Sequence, residues 1–265
     1  MKTLARQLSK GLLTTILVAC GSNVYQATED SDPATSAATL LEQKRPSAAI
    51  KLLESALSKK EGHPPYLSLL SAAYAQRAGI EPLSVAQAMA AKNSSSSLAF
   101  ALQSSTTSLI ELFDVMPEAT TDSVADIQKA VTILTSDLPR SDWLSGDSFK
   151  FAIYQTASMV MSLKILDTNH DGKLSTLELL GLSSSGSGGS LISQLSTAAS
   201  VLGEDSGSSA ATQLASILES QRSAIDAMEG ATDDEKLKNY LAKASGSNST
   251  STSTSTSSLV HDETE

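Results

Sequence analysis

The sequence predicts an all-α fold made of antiparallel helical hairpins, and three observations predict it. Apolar residues recur at steps of three and four, the spacing that gives a helix one buried face. No segment alternates apolar and polar residues with the period of two that a half-buried strand needs. Aromatic residues make up only 4% of the 265-residue chain, β-branched runs are short, and the helix formers Ala, Leu, Gln, Lys and Glu recur throughout.

The chain opens MKTLARQLSKGLLTTILVAC. Lys2, Arg6 and Lys10 form a basic region without an acid, and Gly11 to Ala19 form a short apolar core ending in small residues, which is the layout of a secretory signal. That core is well below the roughly 20 apolar residues needed to span a bilayer. The sole cysteine of the chain, Cys20, stands at its end. Leu17-Val18-Ala19-Cys20 resembles the lipobox of bacterial lipoproteins. The resemblance implies that residues 1–19 are a signal peptide removed by cleavage, that Cys20 is the acylated first residue, and that the protein is held to a membrane by its lipid. Two or three acyl chains give stable attachment where one does not. Gly21 and Ser22 follow instead of the aspartate that favours inner-membrane retention, so the resemblance points to the outer membrane of a bacterial envelope. Residues 20–36 then read as a flexible tether.

The chain carries 19 basic and 29 acidic residues, and loss of the signal leaves 16 against 29, a net charge of −13. This balance opposes nucleic-acid and anionic-lipid binding and favours solubility and cation binding. No basic cluster with interleaved aromatics appears, so nucleic acid is set aside as a partner. Without a second cysteine, an internal disulfide is impossible and stability rests on packing, metal, or both.

Along the body, Pro46 with Ser47 opens a helix through Ala56-Leu57, "EGHPP" at 61–65 breaks the chain, and a second helix runs from Tyr66 to Ala78 before Gly79 ends it. Ala49, Leu53 and Ala56 on the first helix, and Leu67, Leu70 and Tyr74 on the second, have the small-large alternation that lets two antiparallel helices pack closely. Residues 47–80 resemble a tetratricopeptide-type helical hairpin, such as that of the T component of tripartite (TRAP) solute transporters, with Ser71 where a glycine is usual. The resemblance implies a hairpin region over 37–92 and a possible protein partner. It also carries an alternative reading of the chain, a periplasmic accessory lipoprotein of a solute transporter.

Residues 93–243 read as a second helical region. Asn93 to Ser97 is a polar joint. Leu98, Leu102, Leu109, Phe113 and Met116 form one stripe ended by Pro117, and Val124, Ile127, Val131, Leu134 and Leu138 form another ended by Pro139. Phe149, Ile153, Ala157, Val160, Leu163 and Leu166 make a third, with Trp143 and Phe149 as core anchors. A short helix is expected from Ser175 to Leu182, cut by Gly181 and by the Gly/Ser-rich loop 183–190 (SSSGSGGS). Residues 244–265, rich in Ser and Thr, read as a disordered tail.

Between the last two helices lies ILDTNHDGKLSTLELL, residues 165–180. With Asp167 as position one, Asn169 is three, Asp171 five, Gly172 six, Lys173 seven, Ser175 nine and Glu178 twelve, which resembles the EF-hand calcium loop at every defining position. Calcium is a hard ion that takes six to eight oxygens. The resemblance therefore implies side-chain oxygens from Asp167, Asn169 and Asp171, the carbonyl of Lys173, Ser175 directly or through water, and both oxygens of Glu178. Gly172 permits the bend, Leu174 packs inward, and Lys164 and His170 point outward. EF-hands usually pair, and no second loop is found; the stretch at 203–213 lacks the ligand spacing.

The three histidines, His63, His170 and His261, lie in separate segments, and no nucleophile, phosphate-cradling or zinc motif stands out. The expectation is a non-enzyme: a lipid-anchored, extracytoplasmic, calcium-binding helical protein with a structural or interaction role.

Overall fold

The computed structural model describes residues 32–85, 87, 112–185, 188–204 and 209–246. The signal, Cys20, most of the tether, the stripe from Leu98 to Leu109 and the tail from 247 onward lie outside the described residues. Among the described residues all regular structure is helical, as expected.

The first three helices each begin with proline. These are α1 (Pro33–Glu42), α2 (Pro46–Leu57) and α3 (Pro64–Arg77), and none has a side-chain cap. Proline suits a first helical position because that N–H has no intrahelical partner and the fixed φ is already helical. Helix α1 begins inside the segment expected to be tether, so residues 33–36 belong to the folded body. Helices α1, α2 and α3 pack on one another in turn. Ala49 and Leu53 are fully buried and Leu67 and Leu70 nearly so, as the hairpin pattern requires. Ser71, the departure from that pattern, is also fully buried, and its hydroxyl donates to the carbonyl of Ala130 at 2.9 Å on the next helix.

That helix, α4 (Thr121–Thr132), starts with a reciprocal cap in which Ser123 N–H donates to Thr120 Oγ1 at 3.1 Å and Thr120 N–H to Ser123 Oγ at 2.8 Å. It continues as one π-helical turn, Ile133–Asp137, closed by a bond from Leu138 N–H to the Ile133 carbonyl at 2.9 Å. This register takes the Leu138 donor away from Leu134, and Pro139 has no N–H to offer. The indole N–H of Trp143 fills the gap, donating to the Leu134 carbonyl at 3.1 Å and the Leu138 carbonyl at 3.3 Å.

Helix α5 (Asp147–Lys164) is the spine, with every residue from 151 to 161 buried. A helix buried all round must satisfy its polar groups internally, and Thr156 does so by donating to the Ala152 carbonyl at 2.8 Å. Asp147, fully buried at its start, accepts from Ser68 Oγ (2.6 Å), Lys150 Nζ (2.8 Å) and Leu144 N–H (2.8 Å), tying α5 to α3. A carboxylate here also faces the positive end of the helix dipole.

Beyond the loop, α6 (Thr176–Ser185) is longer than expected and contains Gly181. Helix α7 (Gly188–Glu204) then begins inside the supposed Gly/Ser loop. Those glycines serve contact rather than flexibility. A Cβ on Gly188 would stand 2.5 Å from Asp234 Oδ1 and 2.8 Å from Asp234 Cα, and Gly189 N–H donates to Asp234 Oδ1 at 3.0 Å. Asp234 belongs to α9 (Asp233–Ala244), which with α8 (Ser209–Asp226) and α7 forms the second half of the body. Helix α5 touches α4 on one side and α7 on the other, so one spine joins the two halves. Among the described residues no helix is long and apolar enough to cross a membrane.

Candidate metal centre

The loop from Asp167 to Glu178 leaves α5 and enters α6. Its entry is anchored by Lys164, expected to point outward, which is instead turned onto the preceding segment. Its Nζ donates to the carbonyls of Phe113 (3.1 Å) and Met116 (3.2 Å). His170 is exposed as expected, with Nδ1 3.3 Å from Glu118 Oε1.

Short polar side chains hold the bend. Asp167, only 3% exposed, accepts from Asp171 N–H at 3.2 Å and Gly172 N–H at 2.9 Å with its two oxygens. Asn169 Oδ1 accepts from Asp171 N–H at 3.1 Å, and Asp171 Oδ1 from Lys173 N–H at 2.8 Å. Positions one, three and five are thus each oriented by the backbone they would enclose. His170 (φ 56°) and Gly172 (φ 75°) take left-handed conformations. A Cβ on Gly172 meets nothing within 4 Å, so the glycine is required by its backbone angle and not by space.

Leu174 is fully buried, and its N–H donates to Ser245 Oγ at 3.3 Å, just past the end of α9. The body therefore extends through Ser245, two residues into the segment expected to be tail. Sequence reasoning gave no role to Ser245, Glu118 or Thr168.

Glu178 sits three residues after Ser175, and the two form a helix-capping pair for α6. Its Oε2 accepts from Ser175 N–H (2.8 Å) and Oγ (2.7 Å), and its Oε1 from Thr168 N–H and Oγ1, both at 2.8 Å. The bonds from Ser175, then those from Thr168, hold its carboxyl down from 4.5 to about 2 against some desolvation. A carboxylate offers about four lone-pair sites, and all four are engaged. An incoming cation must share or displace these donors.

The candidate donor set is oxygen throughout, with three carboxylates, one side-chain amide, one backbone carbonyl and one hydroxyl, a chemistry that fits a hard divalent ion such as calcium. Among the described residues no three acidic, His or Cys side chains converge as a ready-made metal cluster, since Glu178 faces Thr168 and Ser175. A scan against family models finds no match to this chain, and searches of curated proteins and of solved structures find none either.

Proposed function

We propose that the protein is a non-catalytic, lipid-anchored component of a bacterial cell envelope, attached through Cys20, whose loop 167–178 binds one calcium ion as a clamp between α5 and α6. The observation that supports this most is the frame around Asp167, Asn169 and Asp171, where backbone N–H groups orient ligand-type oxygens. Asp167, Asn169, Asp171, the Lys173 carbonyl, Ser175 and Glu178 would hold the ion. Bound calcium would offset the mutual repulsion of three carboxylates and fix the exit angle of α6. An unpaired loop whose closing glutamate is already engaged belongs at the weak end of the range, on the order of 10⁻⁴ to 10⁻³ M. At millimolar calcium outside the cytoplasm such a site is from about half to about nine-tenths filled across that range, and a steady calcium level there suits a structural role better than signalling.

Isothermal titration of residues 21–265 tests the metal. One site in that range, lost in Asp167→Ala, is expected; equal heats from the two proteins at millimolar calcium would overturn the reading. Detergent phase partitioning tests the anchor. The wild-type protein should enter the detergent phase as the shortened mature form, whereas Cys20→Ser should keep residues 1–19, run as the longer precursor and take up no labelled palmitate.

A further inference from the structure

Outside the candidate metal centre, a cleft of about 460 Å³ runs across α3 between α2 and the π-helical end of α4. Its floor is aliphatic, from Leu57, Leu67, Leu70 and Ile133, and its rim carries the carboxylates of Glu54, Glu61 and Asp137. Helix α2 ends at Leu57 and the π turn at Asp137, so two helix C-termini, each the negative end of a dipole, lie at the same lip. Among the described residues Lys129 is the one cation lining the cleft; Lys59 and Lys60, in the adjoining turn, do not line it. Tyr74 donates to Glu54 at 2.7 Å, while among the described residues Glu61 and Asp137 have no ion-pair partner. The open cleft therefore presents an excess of exposed acids above an apolar floor, offset only in part by Lys129.

We infer that this cleft binds a basic amphipathic peptide segment of a partner protein, with aliphatic side chains on the leucine floor and Lys or Arg against Glu54, Glu61 and Asp137. Because most of each floor residue is already buried, charge supplies the larger share of recognition, and rim charges act chiefly on association and salt dependence. The inference does not depend on calcium at the loop.

Fluorescence anisotropy of residues 21–265 with a labelled heptapeptide, Lys-Leu-Ala-Lys-Leu-Ala-Lys, tests it. The peptide should bind, and its Glu-for-Lys counterpart should not. Glu54→Gln/Glu61→Gln/Asp137→Asn should weaken binding at least fivefold, and Lys129→Gln should strengthen it about twofold. A control with the same charge change elsewhere, Glu42→Gln/Asp122→Asn/Glu229→Gln, separates the cleft from the general acidity of the chain and should leave affinity within about twofold of wild type. Circular dichroism confirms that each variant folds. Equal losses in the two triple variants, or none in the cleft variant, would overturn the inference.

Discussion

Thr168, at position two of the loop, points at the residue that closes it. Its hydroxyl and N–H both donate to Glu178 Oε1 at 2.8 Å, so under the proposed function the group that steadies the loop would compete with a cation for the same oxygen. A hydrogen bond to a charged group contributes about 1.5–3 kcal/mol net, part of which is regained from water at an exposed site. Thr168→Val keeps the shape and the N–H while removing one competing donor. Calcium should then bind about three- to tenfold more tightly by titration, while the calcium-free protein melts at a lower temperature. Opposite signs from one substitution would separate competition from simple loss of structure. The candidate ligand set could be proposed from sequence because its spacing is local, all within twelve positions. Sequence left Thr168 and Ser245 silent because their roles come from the fold: the first turns on the rotamer of Glu178, and the second on a helix end 71 residues away from Leu174.

At the scale of elements, α2 and α3 were readable to within a residue or two: Pro46 opens the first and Gly79, at φ 83°, stops the second, while Pro64 and Pro65, expected to belong to the break, form the first turn of α3. The Gly/Ser run misled because composition records the flexibility of glycine and not the close contact it permits. Two glycines of α7 separate these roles. Gly188→Ala forces a Cβ to within 2.8 Å of the Asp234 backbone and disturbs the seat of α7 on α9, with an expected cost of about 1–3 kcal/mol as for other overpacked sites. Gly203→Ala, in the same helix with nothing within 4 Å of the added carbon, should stabilise by about 0.4–1 kcal/mol through the unfolded chain. Urea denaturation of both variants checks the pair of signs. The π turn was invisible in sequence for a related reason. The apolar stripe through Leu138 continues smoothly, and the shift in bonding shows only in which donor reaches Leu134.

Across the whole molecule, the loop is fastened to distant parts of the chain at three points. Lys164 holds the carbonyls of Phe113 and Met116, His170 meets Glu118, and Leu174 meets Ser245. The first two reach the segment leading into α4, and the third reaches the end of α9, so the loop stands where the two halves joined by α5 come together again. Ordering the loop should therefore order both contacts. The far hairpin of α1 and α2 meets the rest of the body mainly through α3 and should feel nothing. Local opening free energies differ across a protein, and a bound ion raises those of the unit it ties together. Hydrogen exchange with and without 5 mM calcium, read by peptide mass, makes this testable. Protection should rise in residues 112–118, in the loop and in residues 241–246, and stay unchanged in α1 and α2. A uniform rise over all helices would mean that calcium acts on global stability alone, and protection confined to 167–178 would mean that the three fastenings transmit nothing.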